Sequence, residues 1–293
     1  MASQRPTQYD TVQLGVRLEH LRRQLMLVPE AVILTVLLAF YALFGAPPAL
    51  ALPGLLCVSW FGTRLGLLIA ARQAYMEANY VRAERLAGLA HRLYAYSADV
   101  YALRGLIAQG RNRSTEAVAA LKKAIVLYPQ QARLHALLSG ALLEDGQAQA
   151  AYAAATEALL RDSGCAAAHL HLASAEQALG ANLDVVERRL RAGLNGELSA
   201  ADEVALSCAL ATTLINAGRV HEAQFALRGV DALLTNSATP QRAEFHYYLG
   251  ELHRQLGDLE AARAHYNASE TLDPNGRYAA AAWRAARTGS ATR

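Results

Sequence analysis

Between Ala243 and Gly276, apolar and small residues recur at Leu249, Gly250, Leu252 and Leu256, then at Leu259, Ala262, Tyr266 and Leu272. The spacing is helical and falls into two blocks, parted by Gly257-Asp258 and closed by Pro274. A left-handed Gly257 ends the first predicted helix, and Pro274 ends the second. The stretch therefore predicts one helix–turn–helix hairpin, with Ala262 where its helices cross closely. Aligning hairpin glycines and closing prolines on this unit gives further starts at Arg64, Ala98, Ala132, Ala166 and Val204. Successive starts are 34 residues apart up to Ala166, then 38 and 39, which places short insertions near Asn195-Gly196 and Asn236–Pro240.

The hairpin resembles a tetratricopeptide (TPR) repeat, with Leu249-Gly250, Gly257, Ala262, Tyr266 and Pro274 at that family's signature positions. His246 and His253 stand where the family carries aromatics. Repeat two shows Gly105, Ala117, Leu121, Ala124, Leu127 and Pro129; repeat three shows Gly146, Ala151 and Ala158; repeat five shows Gly218, Ala223 and Leu227. Repeat four keeps Gly180 but has Val185 in place of alanine, and repeat one matches only around Ala83 and Ala90. The resemblance implies an all-α, TPR-type α-solenoid of about six repeats over residues 64–276. Residues 277–293 supply a capping helix with Trp283, which a solenoid needs over its last apolar face.

In that family the first helix of each pair lines a concave groove for peptides or helices. By resemblance the groove positions are Asp99, Ala102, Leu106 and Gln109, then Arg133, Ala136, Gly140 and Leu143, then Ala167, Leu170, Ser174 and Gln177. The series ends with Ala205, Cys208, Thr212 and Ile215, and with Glu244, Tyr247, Glu251 and Arg254. The family's lysine and asparagine clamp for C-terminal carboxylates has no counterpart here. Thr212, Ile215, Tyr247, Glu251 and Arg254 are the predicted partner-binding set, because tyrosine and arginine carry much interface energy.

From Ala31 to Thr63 no residue is charged, and Gly45-Ala46-Pro47-Pro48 divides the stretch into two apolar arms. Extended to residues 29–71, each arm approaches the roughly 20 residues that cross a bilayer. The pattern predicts a transmembrane helical hairpin whose second arm merges with repeat one; the competing reading is a buried hairpin of a soluble domain. Residues 1–28 hold a basic amphipathic segment, with Leu14, Leu18, Leu21 and Leu25 on one face. It lies either on an anionic membrane surface or against the repeats. Arg17, Arg22, Arg23, Arg64 and Arg72 flank the hairpin and its turn has none, so both termini are expected in the cytoplasm, as in a bacterial inner-membrane protein.

Composition adds exclusions. Of 293 residues 53% are hydrophobic, and the net charge of +3 is too small to imply nucleic acid. Cys57, Cys165 and Cys208 are far apart and suggest neither a disulfide framework nor structural zinc. His169 and His171 diverge on a helix, and His246 and His253 share a face without a completing carboxylate or cysteine. Glu144-Asp145 and Asp202-Glu203 read as solvated capping pairs. No phosphate-binding loop, nucleophile elbow or HExxH motif is present. No cofactor, metal, small-molecule substrate or enzymatic activity is expected.

The sequence thus reads as a membrane-anchored scaffold or adaptor that holds a protein partner at the cytoplasmic face of the bilayer. Among bacterial proteins it resembles those that serve assembly or quality control of membrane complexes. The alternatives are a soluble interaction protein whose apolar hairpin docks on a partner, and a non-catalytic subunit of a membrane enzyme or transporter. The latter would want polar groups in the arms, and only Thr35, Tyr41 and Ser59 are there.

Overall fold

The computed structural model describes residues 48–288 except Glu197, Ser237 and Ala238, together with single positions between 35 and 45. The expected amphipathic segment and most of the first apolar arm lie outside the described residues. All regular structure among the described residues is helical. The helices are α1 (Pro48–Met76), α2 (Tyr80–Leu93), α3 (Ala98–Gly110), α4 (Ser114–Leu127), α5 (Ala132–Glu144), α6 (Ala148–Arg161) and α7 (Ala166–Ala178). After these come α8 (Leu183–Leu194), α9 (Ala200–Asn216), α10 (Val220–Ala226), α11 (Val230–Leu233), α12 (Thr239–Gln255), α13 (Leu259–Leu272) and α14 (Ala279–Thr288). Consecutive helices pack as pairs, and first helices of neighbouring pairs also touch, the arrangement of an α-solenoid.

One turn chemistry recurs. At Ala78, Asn112, Gly146, Gly180, Gly218 and Gly257 the backbone is left-handed, with φ between 57° and 84°. In each case the next amide donates back across the turn, as from Asp258 to the His253 carbonyl at 2.9 Å and from Gln147 to Leu142 at 2.8 Å. This is the Schellman closure that satisfies the last carbonyls of a helix. Gly257 takes the conformation its spacing predicts.

Pairs pack closely because one small residue per first helix faces the second. Ala71, Gly105, Ser139, Ala173, Ala211 and Gly250 occupy this place and are all buried. A Cβ on Gly250 would come within 2.7 Å of the Tyr266 ring, and one on Gly105 within 2.8 Å of Leu121. Ala83, Ala117, Ala151, Ala223 and Ala262 supply the matching small residue on the second helices and are buried.

Repeat four departs by register. The expected alanine position, Val185, is only half-buried, while the next residue, Val186, fills the core. Helix α8 begins one residue late behind the Asn182 cap, and Gly193 then makes the close approach, against His169 and Leu206. The repeat has slipped by one residue. The two predicted insertions lengthen α9 and α12 to 17 residues each. The second helix of repeat five is broken at the left-handed Gly229 into α10, α11 and a short 3-10 turn.

At the end of the array, α14 covers Ala262 and Tyr266 with Ala282 and Ala286. Trp283 faces outward, 46% exposed, with the Arg287 guanidinium 4.3 Å from its ring. The cap therefore packs through alanines, since only they allow the close helix approach.

At the other end, α1 joins the array directly through Ala71 and Ala74, which are buried with Ala83, Ala87 and Tyr80. Its earlier turns leave Leu52, Leu55, Leu56, Val58, Trp60 and Ile69 exposed. Leu52–Met76 is the only segment among the described residues long and apolar enough to cross a membrane.

Candidate partner-binding site

First helices face inward in this solenoid, and the curl is tight enough that α12 returns to touch α1. The result is a chamber of about 680 Å³. Its long wall is built at one inward position of successive first helices: Leu106, Gly140, Ser174, Thr212 and Glu251. Gln109, Leu143, Leu170, Ala205, Cys208, Glu244 and Tyr247 complete the sequence-predicted positions that line it. Of the predicted binding set, Thr212, Tyr247 and Glu251 come together there. Ile215 packs half-buried against the central core, and Arg254 is exposed and pairs with Glu251 at 2.7 Å. Ala136 lies in the core with Ala158 and Ala168, while Asp99, Arg133 and Gln177 are exposed outside the chamber.

Outside the groove series, the lining includes Tyr75, Tyr80, Glu144, Asp273, Arg277 and Tyr278, which gather where the ends of the array meet. The Tyr80 hydroxyl donates to Asp273 across 193 residues of sequence, and Arg277 donates to Glu144 across 133. Glu144 also accepts from Gln109 Nε2 at 3.0 Å. It is thus a half-buried, doubly bonded seam residue and not the solvated cap its sequence suggests. Its neighbour Asp145 does serve turns, accepting from Ser114 at 2.8 Å and from Gln147 at 2.6 Å. Gly110 is obligatory for the seam, because a Cβ there would sit 2.5 Å from the Tyr80 ring.

The seam is rich in tyrosine. Tyr278 stacks on Tyr247 with ring centroids 4.6 Å apart and planes 17° apart. Its hydroxyl is hydrogen-bonded to that of Tyr248 at 2.6 Å and donates to Glu244 at 3.4 Å. Burial raises the Tyr278 and Tyr80 hydroxyls above the ordinary phenol range, and their acidic neighbours add to it, so both are donors at neutral pH. Burial also lifts Glu144 and Glu244, and the Arg277 guanidinium only partly offsets it. Deeper in the wall, burial pushes His171 down to about 4 and the Cys208 thiol up to about 12, leaving both neutral.

Three histidines gather on the other side of α12. His246 and His253 share a face there, and His265 of α13 fits between them. Its Nδ1 lies 2.9 Å from that of His246, and its ring stacks on His253 at 5.2 Å. Among the described residues no group of three or more histidine, cysteine, aspartate or glutamate side chains has metal-binding geometry.

Residues 98–131 and 243–276 match family models of the tetratricopeptide repeat. No curated protein matches the chain in sequence. Among solved structures the chain is similar to PilW, a type IV pilus biogenesis factor, at TM-score 0.52 and 16% identity, over 75% of this chain and 98% of PilW. It is similar to pilF of Pseudomonas aeruginosa at TM-score 0.50 and 15% identity, over 80% of this chain and 100% of that one. A thermophilic TPR protein of Thermus thermophilus gives TM-score 0.52 and 19% identity, over 65% and 97% of the two chains. The chain spans 26% of the length of a Thermobaculum terrenum O-GlcNAc transferase mutant, at TM-score 0.44. At these identities the likenesses establish the fold alone. Residues 98–131 and 243–276 are thus similar to tetratricopeptide repeats, and they are set in an all-α, tetratricopeptide-like solenoid.

Proposed function

We propose that the protein is a non-catalytic scaffold, anchored to a membrane through α1, that holds a segment of a partner protein in its chamber on the cytoplasmic side. The observation that carries the binding half is the convergence of Leu106, Gly140, Ser174, Thr212 and Glu251 on one chamber. Small side chains along that wall let a helix or extended segment approach the backbone, and tyrosines at the seam offer flat area with a polar edge.

The anchoring half draws support from α1. Its exposed leucines and Trp60 have no protein cover among the described residues, and a patch of that kind marks a protein or membrane contact. Arg64, the first charged residue after this stretch, stacks 4.4 Å from the Tyr94 ring of the array. The uncharged turns before it, Pro48 to Thr63, measure roughly 24 Å at ~1.5 Å per residue. A seamless join between α1 and the array would hold the chamber close to the lipid.

Both halves are testable. After carbonate washing the full-length chain is expected to stay with the membrane pellet, and its release would remove the anchor. A Thr212→Trp substitution fills the chamber without touching the seam. It should lower capture of co-purifying protein from detergent extract more than tenfold while far-ultraviolet circular dichroism is unchanged. Equal capture by the variant would move the partner site off the concave face.

A further inference from the structure

The turn between α13 and α14 does not lie on the surface: Asp273, Gly276, Arg277 and Tyr278 all line the chamber. Arg277 is held as a ligand would be. Its guanidinium donates to Glu144, which Gln109 steadies at 3.0 Å, and lies 4.8 Å from the Tyr278 ring. Tyr278 in turn is stacked on Tyr247 and hydrogen-bonded to Tyr248. Together these groups recognise a guanidinium followed by an aromatic ring.

The charges do not balance around this occupant. Glu144, Glu244 and Asp273 line the chamber near it, and Arg277 is the only arginine or lysine among the described lining residues; Glu251, also in the lining, is paired with Arg254. Asp273 is 5% exposed, and one of its oxygens has no partner in hydrogen-bonding geometry. Burial raises Glu144 and Glu244, and Arg277 offsets this only in part. The chamber also keeps open volume beside the turn, which gives an incoming chain a way in.

We propose that this is the recognition site for an arginine-bearing segment of the partner protein, an arginine followed by an aromatic residue, and that Arg277-Tyr278 is a resident occupant which the partner displaces. The inference rests on the chamber being the partner site and names what it selects. An occupant tethered in the same chain competes at high effective concentration, so it weakens partner binding until it is removed.

The test uses the full-length chain in detergent and a fluorescent heptapeptide with the sequence of residues 273–279. Arg277→Ala should bind this peptide at least tenfold more tightly than the parent does. The same peptide with glutamine for arginine should lose at least tenfold, and adding Glu144→Gln should erase the gain. No gain in Arg277→Ala, or equal binding of the glutamine peptide, overturns the proposal. Should Arg277→Ala lose helicity, the parent still decides: excess peptide should speed amide hydrogen exchange across residues 276–278, and unchanged exchange overturns it. If Thr212→Trp loses the partner while the peptide treats parent and Arg277→Ala alike, the chamber reading stands and the arginine assignment falls. If the peptide behaves as expected while partner capture ignores Thr212→Trp, the arginine site stands and the scaffold reading falls.

Discussion

The interior of a repeat and the seam between the two ends of the array are held together by opposite means. In repeat six, Gly250 lies against the Tyr266 ring, and Ala262 and Tyr266 share an apolar cluster with Ala282 of the cap, each contact within about 20 residues of sequence. At the seam, Tyr80 meets Asp273 and Glu144 meets Arg277, polar contacts over more than a hundred residues. Repeat interiors set local stability, while the seam ties together the two ends of the curl that encloses the chamber. The chamber is at once a product of regular repeats and of a single irregular closure.

Ala262→Leu should break the first kind of contact and give the largest effect. Ala262 is 2% exposed, so the added carbons have no free space, and overpacking of this sort costs about 1–3 kcal/mol. Because solenoid repeats lean on their neighbours, lost hydrogen-exchange protection should concentrate in α12 to α14. Loss spread evenly over the chain would mean that the repeats do not behave as separate units.

Tyr80→Phe should break the second kind. It strips Asp273 of its hydroxyl partner, and a buried acceptor left unpaired costs about 1–3 kcal/mol, here toward the low end because chamber water can reach it. The diagnostic is where protection is lost. It should fall at both ends of the array, in α1–α2 and in α13–α14, and not in the middle repeats. Loss at α2 alone would mean that closure does not couple the ends.

How much of this was legible in the sequence follows the same division. The inward positions from Leu106 to Glu251 and the left-handed turn at Gly257 depend on contacts within one or two repeats, which spacing encodes. Val185 looks like a degenerate alanine because one extra residue before Asn182 moves Val186 into its place, and a fixed 34-residue ruler cannot show that. Glu144 looks solvated because its partner Arg277 lies beyond the last repeat, within reach only once the curl is complete. Trp283 draws attention by size, yet Ala282 and Ala286 make the cap. Closure is summed from small rotations at every repeat interface, so no local motif announces it.

Acidification should sharpen the comparison from a third side. Burial lowers His246 and His265 below the ordinary histidine range, and each opposes the charge of a neighbouring histidine. A lowered folded value means the unfolded chain binds protons first, so stability is complete above about pH 6.5 and falls as pH drops below it. The melting temperature is expected to decline from pH 7 to 5.5, and to decline less in His246→Phe, which restores an aromatic at this place. His171 in the chamber wall contributes with the same sign and remains in both proteins. An identical decline in the two would show that the α12–α13 pair does not report pH.

The smallest expected effect is a gain. Two of the six left-handed turns use residues other than glycine, Ala78 at φ 58° and Asn112 at φ 57°. A β-carbon in this region crowds the backbone at a cost of about 1–2 kcal/mol, and asparagine tolerates it better than alanine. Glycine removes that cost but gives back part of it through the greater freedom of the unfolded chain. Ala78→Gly should therefore stabilise by about 0.5–1 kcal/mol and Asn112→Gly by less, measured as shifts in denaturant midpoint at constant slope. The sites also differ in place: Ala78 adjoins Tyr80 and the seam, while Asn112 joins α3 to α4 within a repeat. Ala78→Gly should leave the Tyr80–Asp273 contact intact, since the turn keeps its conformation, so the gain from Ala78→Gly should persist unchanged in a Tyr80→Phe background. A gain that vanishes there would mean that turn and seam are coupled and that the two kinds of contact are not separable.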